Sequence, residues 1–493
     1  MWDIIRNAPF GRLLHLLSGG RLARYREEEA NFEVPAGYID TTKSSRPGAT
    51  GEQTMADIEG SNNKPGPVIG WYGEDDSENP YNWSFGKKLW VAMLLFVYTT
   101  GNTKIMETYG VSSIVASLGL TLYVLACGIG PMLFSPLSEI PAVGRTVPYI
   151  TTYFVFVVLC VPMALVDNIA GILVLRFLLG FFGSPCLATA GASYGDFYGP
   201  IEMPYVIALW GGGATLGPAL GPLVAGFAVQ AKGWRWSSGE LLWLSAPIFI
   251  LMFFTMPETS SDTILYRQAQ RLRKRTGHTD LKAESEIRQA KMSPREVTFN
   301  AVIKPWQIKA LDPAVLFSTL YNALTYGIYY SFFESFPLVY SDMYGFDLGQ
   351  LGLAFLSVLC GLNVAVVLLC SYFYFIAPRQ LGKLDPVQPE VRIWPGLFAT
   401  WLILIGLYIF AWTATPSIHY LVSLAGIAIS MCGVFIITQC MLIYLPFTYP
   451  RYAGSLFAAN GFARSIFAGT SILFARPMFD DIEISGGDAA RGL

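Results

Sequence analysis

Charged and amide side chains inside long apolar runs are the residues of this chain most able to do chemistry. Arg176 stands seven residues into the apolar run 169–190. A lone arginine at mid-membrane costs at least ~2.5 kcal/mol, so it should face the interior and find a partner; a snorkelling arginine near the membrane face is the plainer alternative. Glu334 lies late in the run 313–340. Asn322, Tyr326, Tyr330 and Glu334 recur every four residues and form one slowly turning stripe, polar and aromatic within an apolar helix. Such a stripe suits a substrate cavity. A carboxylate there could alternate between protonated and charged forms, or could simply be a hydrogen-bonded interfacial group. Arg464, with Asn460 one turn earlier, is the matching pair in the run 453–474. Tyr326, Tyr329, Tyr330, Phe332 and Phe333 suit flat, apolar or cationic ligands, unless the rings merely pack. Asp196 closes the run 169–190 at an interface.

Other chemistries lack their residues. Three histidines stand far apart, and none of the seven cysteines makes a CxxC pair, so neither a metal nor a nucleophilic constellation is expected. No enzyme activity and no cofactor are expected. The string Phe85-Gly86-Lys87-Lys88 has Tyr81 where a phosphate-binding loop needs its first glycine, which argues against ATP as the energy source. A proton gradient remains; one charge crossing 100 mV releases ~2.3 kcal/mol.

The elements that must hold these residues are membrane helices. Of 493 residues, 53% are hydrophobic and 14% charged, with mean hydropathy +0.44; soluble domains carry roughly 25% charge. The net charge of −2 gives no field for nucleic acid. Six apolar runs (89–101, 113–134, 147–166, 169–190, 205–229, 241–256) precede a polar gap, and five (313–340, 351–377, 393–412, 420–445, 453–474) follow it. Most approach the ~20 residues that cross a bilayer, where helices satisfy every backbone polar group. The gap holds eleven Lys/Arg between Glu258 and Lys309, including Arg271, Arg273, Lys274 and Arg275. The positive-inside rule makes it cytosolic, and six preceding spans put the N-terminus there too. The expected organisation is a cytosolic, largely disordered region 1–86, a bundle 87–257, a basic linker 258–311, a bundle 312–478 and a polar tail 479–493. Segment 41–67 reads as disordered. The start of the chain has no signal-peptide pattern but could form a short amphipathic helix. The expected setting is the cell membrane, as a multi-pass monomer whose partners are lipid, protons and a small molecule.

Several motifs together resemble the major facilitator superfamily. Gly213-x3-Gly217-Pro218-x2-Gly221, within the glycine run starting at Gly211, resembles the fifth-helix motif of drug:proton antiporters. Read without the family, it is a helix-packing seam or a hinge. Ser135-Pro136-Leu137-Ser138-Glu139 with Gly144-Arg145 is similar to the gating loop between helices two and three; Arg176 to Gly180 is similar to the fourth-helix motif. Asn79 to Ser84, Gly233-Trp234-Arg235-Trp236 and Pro257-Glu258-Thr259 look like segments of fungal members, so the likeness covers about residues 70–478. It implies an all-α fold of two six-helix bundles and proton-coupled export of toxic compounds or secondary metabolites by alternating access. Proton coupling would fall to Arg176, with Glu334 and Arg464 as candidates. Glu139 and Ile140 depart from the usual loop pattern. Eleven spans where the family has twelve, and a first run of 13 residues, suggest loss of part of helix one and of helix twelve. A degenerate, non-transporting membrane protein is therefore one alternative, and polyamine export is another.

Overall fold

A computed structural model describes residues 2–29, 32, 34, 68–103, 113–199, 201–232, 234–290, 303, 307, 310–378, 389–448 and 453–482. A helix stands at each of the eleven apolar runs. The first group comprises α3 (Phe85–Thr103), α4 (Ser113–Ser138), α5 (Thr146–Leu165), the broken pair α6 (Ile169–Gly183) and α7 (Cys186–Gly195), α8 (Met203–Lys232) and α9 (Trp234–Thr255). The linker carries α10 (Ser261–Thr276) and α11 (Glu284–Ala290). The second group comprises α12 (Pro313–Phe336), the pair α13 (Leu348–Ala354) and α14 (Leu356–Ser371), then α15 (Trp394–Thr413), α16 (Tyr420–Thr448) and α17 (Ala453–Ile482). Residues 104–112, where the first helix is expected to be cut short, and residues 41–67 lie outside those described.

Among the described residues, six spans are long and apolar enough to cross a membrane on length and composition alone: Leu118–Ser138, Thr146–Leu165, Met203–Lys232, Leu348–Ile376, Val391–Thr413 and Tyr420–Leu445. The helices α12 and α17 are as long but more polar. They pack against each other and carry buried Asn322, Thr325, Asn460 and Ser465. Their polarity is an interior one.

The two halves meet along two seams. One joins α4 to α17, where Thr121 donates to the Gly469 carbonyl at 3.4 Å. The other joins α8 to α13 and α14. Here small residues are obligatory: a Cβ on Gly226 would lie 2.5 Å from the Leu348 oxygen, and one on Gly352 would lie 2.7 Å from the Pro222 oxygen. Backbones touch where side chains would hold them apart.

The described parts of the N-terminal region, residues 2–29, 32, 34 and 68–84, are built into the fold, and the short helix expected at the start of the chain is among them. Two short helices, α1 (Trp2–Asn7) and α2 (Pro9–Leu17), precede a 3-10 turn at Arg26–Glu28. Phe10 packs against Phe254 of α9 with ring centroids 4.6 Å apart. Strand β1 (Val68–Ile69) pairs in parallel with β2 (Lys282–Ala283) of the linker. A small core of Ile69, Ala269, Leu272, Leu281 and Ala283 lies beneath. Ion pairs cross the same boundary: Arg271 to buried Glu27 at 3.0 Å and to Glu78 at 3.6 Å, and Arg12 to Glu258 at 3.6 Å. Composition alone misleads here because each segment's charge is neutralised by another far along the chain.

Candidate functional site

A cavity of about 80 Å³ lies between the halves. α4 contributes Val124 and Cys127, and α8 contributes Trp210, Gly211 and Thr215. Across it stand Tyr326, Tyr329 and Tyr330 of α12, Thr438 and Gln439 of α16, and Arg464 of α17. Arg464 is the sole charged residue among the described residues lining it.

The tyrosines form one cluster. Rings of Tyr326 and Tyr330 are 4.9 Å apart with hydroxyls 3.4 Å apart, and Tyr329 lies 5.2 Å from Tyr330. The guanidinium of Arg464 sits 5.0 Å from the Tyr326 ring centre. A cation over an aromatic face recovers part of its desolvation cost. Toward the side away from the linker, rings continue through Phe333, Phe355 and Phe336, with 5.4 Å from Phe333 to Phe355 and 4.3 Å from Phe336 to Phe355.

On the linker side the floor is a knot of amides. Asn322 donates to Asn460 Oδ1 at 3.2 Å, and Thr438 Oγ1 donates to Asn322 Oδ1 at 3.0 Å. Both asparagines are fully buried. They tie α12, α16 and α17 together, rather than lining the cavity as expected of them, and Asn460 Nδ2 is left buried without a hydrogen-bond partner among the described residues. Tyr326, Tyr330 and Arg464 do line it. Glu334 does not: it is half-buried one turn beyond Tyr330. Nor does Arg176, which is buried on α6 within electrostatic reach of Tyr123 on α4. Of the three charged groups expected to act together, only Arg464 meets the cavity.

The glycine run has a definite task. A Cβ on Gly211 would occupy the place of the Gln439 amide, and one on Gly213 would lie 2.9 Å from the Phe96 ring of α3. Gly217, Pro218 and Gly221 are buried in the same helix. Gln439 was not foreseen from sequence. Its signal was a buried amide in the middle of the most apolar stretch of α16, yet its contact with Gly211 spans more than two hundred residues.

The expected gating loop closes the linker side. Arg145 grips Asp196 with both arms of its guanidinium, Nε at 2.6 Å and a terminal nitrogen at 3.2 Å. Its backbone N–H donates to Glu258 at 2.9 Å. Gly144 has φ +78°, and a Cβ there would run into the Glu258 carboxylate. Glu258 also receives Arg267 at 3.4 Å. Glu139 reaches across to the other half. Ser455 Oγ donates to its carboxylate at 3.5 Å, and Gly454 leaves room for the other oxygen. Although Glu139 as a residue is exposed, the crowding of its carboxylate pushes it up to about 7, with Arg145 pulling the opposite way.

A profile of the Major Facilitator Superfamily matches residues 89–471. The chain belongs to the major facilitator superfamily. Among curated relatives, the MFS-type transporter pyvG of Aspergillus violaceofuscus is 39% identical, with 99% of this chain and 94% of that protein covered. The cycloheximide resistance protein of Candida maltosa is 35% identical over 98% of this chain and 93% of its own length. Fluconazole resistance protein 1 of Saccharomyces cerevisiae is 37% identical over 86% and 79%. The human organic anion transporter MFSD10 (TETRAN) has a solved structure that superposes with a TM-score of 0.52 at 14% identity, covering 79% of this chain and 94% of that one. That likeness shows the fold. As a major facilitator member, the chain is a multi-pass membrane transporter and not an enzyme. Its cavity lies between the two bundles, where this superfamily binds substrate.

Proposed function

We propose that this chain exports small hydrophobic or aromatic toxic compounds or secondary metabolites by alternating access, driven by proton antiport. The observation that carries the reading is the aromatic cavity to which both halves contribute. It is bounded by the amide floor and the Glu139 loop on one side, and by the α8 seam and phenylalanine ladder on the other. The resistance proteins and transporter among its relatives support the same direction of transport. The positively charged linker and the N-terminal helices packed on it face the cytosol in this reading. The setting is the cell membrane, and the working unit is the monomer.

Rocking of the two bundles would break one set of closures while forming the other. Glu334, next to the aromatic ladder, is the proton-binding group in this scheme, and Arg176 stabilises its half in the charged states. Polyamines fit poorly, because the single charge lining the cavity is positive and would repel them. The test is resistance and efflux in a yeast strain lacking its own pumps. The chain should confer resistance to at least one of a panel of aromatic antifungals, and a protonophore should abolish efflux. Glu334→Gln, at equal expression, should lose the proton-coupled component. Undiminished, pH-dependent efflux by that variant would remove Glu334 from the scheme; absence of any efflux by the unaltered chain would remove the exporter reading.

A further inference from the structure

Arg464 poses a chemical problem that export as such does not solve. A guanidinium is always charged at physiological pH and carries only donors. It therefore cannot be the group that takes up and releases the proton. Buried charges are ordinarily paired, because removing one from water unpaired is costly. Yet the Arg464 Nε is buried with no hydrogen-bond partner, no ion pair to Arg464 exists among the described residues, and its one close charge-compensating neighbour is the Tyr326 ring. No Asp or Glu stands among the described residues lining the cavity. An arginine fork left open over an aromatic wall, in a cavity between the two bundles, is arranged to receive something.

Building on the exporter reading, we propose that Arg464 binds the cargo directly, and that the preferred cargo is an aromatic acid whose carboxylate, or a comparable oxyanion, pairs with that guanidinium while its ring stacks on Tyr326 and Tyr330. The fork of a guanidinium matches the two oxygens of a carboxylate, which an ammonium or a neutral amide cannot exploit in the same way. The tyrosine cluster supplies flat apolar surface beside it, at ring separations of 4.9 and 5.2 Å. The wall provided by Trp210 and Phe435 is apolar as well. The same positive charge sets the specificity in the other direction: flat cations, which aromatic rings alone would welcome, meet an uncompensated arginine.

The experiment uses the purified full chain and three probes on one ring system: 2-naphthoate, 2-naphthamide and 2-naphthylmethylammonium, titrated by calorimetry. The naphthoate should bind at least tenfold more tightly than the amide, and the ammonium should bind most weakly. Arg464→Gln should bring the naphthoate to the level of the amide and leave the amide within about twofold. Arg464→Lys should restore part of the preference, which separates a binding role from a structural one. Equal or tighter binding of the ammonium, an equal loss of all three probes in Arg464→Gln, or no binding of the naphthoate at millimolar concentration would each overturn the proposal. Efflux of antifungals in yeast is scored separately, so a failure here leaves the exporter reading standing, and a failure there removes it whatever the probes do.

Discussion

Glu139 shows how a single carboxylate can tie a gate to pH. Its protonated form is favoured where it lies, against the start of α17, because the crowding that strips water from its carboxylate raises it to about 7 from the ordinary carboxylate range, although the residue as a whole is exposed. In an open gate the same group returns to water and to its ordinary value near 4.3. The closed state therefore holds more protons than the open one between those two values. Its advantage is complete at the acid end and fades as pH rises through about 7. Hydrogen–deuterium exchange at residues 455–458, corrected for the intrinsic rate, should accelerate from pH 5 to pH 8. In Glu139→Gln the corrected rate should be flat, and an identical slope in both chains would exclude the carboxylate as the cause. The residues themselves were unequally legible. Arg464, Tyr326 and Tyr330 follow from one rule, that polar groups in an apolar helix face inward. The four-residue stripe was read too far at both ends. Each step of four residues advances ~40° around a helix of 3.6 residues per turn, so Asn322 and Glu334 differ by ~120°. Such a stripe cannot keep all four members on one cavity.

Among the elements, α8 has the most demanding surroundings. It touches α3 through Gly213, α16 through Gly211 and α13 through Gly226. Gly226→Val would force a methyl into the Leu348 carbonyl and part the two halves on the side away from the linker. Overpacking of this kind costs roughly 1–3 kcal/mol. A thermal melt of the purified variant should fall by several degrees, and the seam should become reactive to an impermeant thiol reagent at Leu348→Cys. An unchanged melt with an unreactive thiol would mean that the seam has room the geometry denies. Whether the glycine motif packs or bends could not be read from its spacing, since both uses need small residues and prolines. At Gly213 the Phe96 ring, more than a hundred residues away in the chain, makes the use close packing. The helices α12 and α17 were legible as spans despite their polarity, because a run of that length with isolated polar residues still has to cross. The order of the N-terminal segment was not legible. Its stability rests on pairs such as Glu27 with Arg271, 244 residues apart, and local composition carries no trace of them.

At the scale of the molecule, the superfamily architecture explains why the cavity is central and the closures lie at either end. Two bundles that rock about a shared cavity must carry separate seams, one broken in each state. The arrangement described has both seams present, with the cavity between them. If that cavity is the path, filling it should stop transport without unfolding the chain. Gly211→Leu does this by driving the Gln439 amide from its place into the space beside Thr215 and Arg464. The most direct measurement is pH-driven accumulation of an antifungal by inside-out yeast membrane vesicles containing either chain at equal abundance. The unaltered chain should accumulate the compound until a protonophore is added, and Gly211→Leu should melt within a few degrees of it yet accumulate nothing above empty vesicles. No gradient-dependent accumulation by the unaltered chain, or full accumulation by the filled variant, would contradict the account.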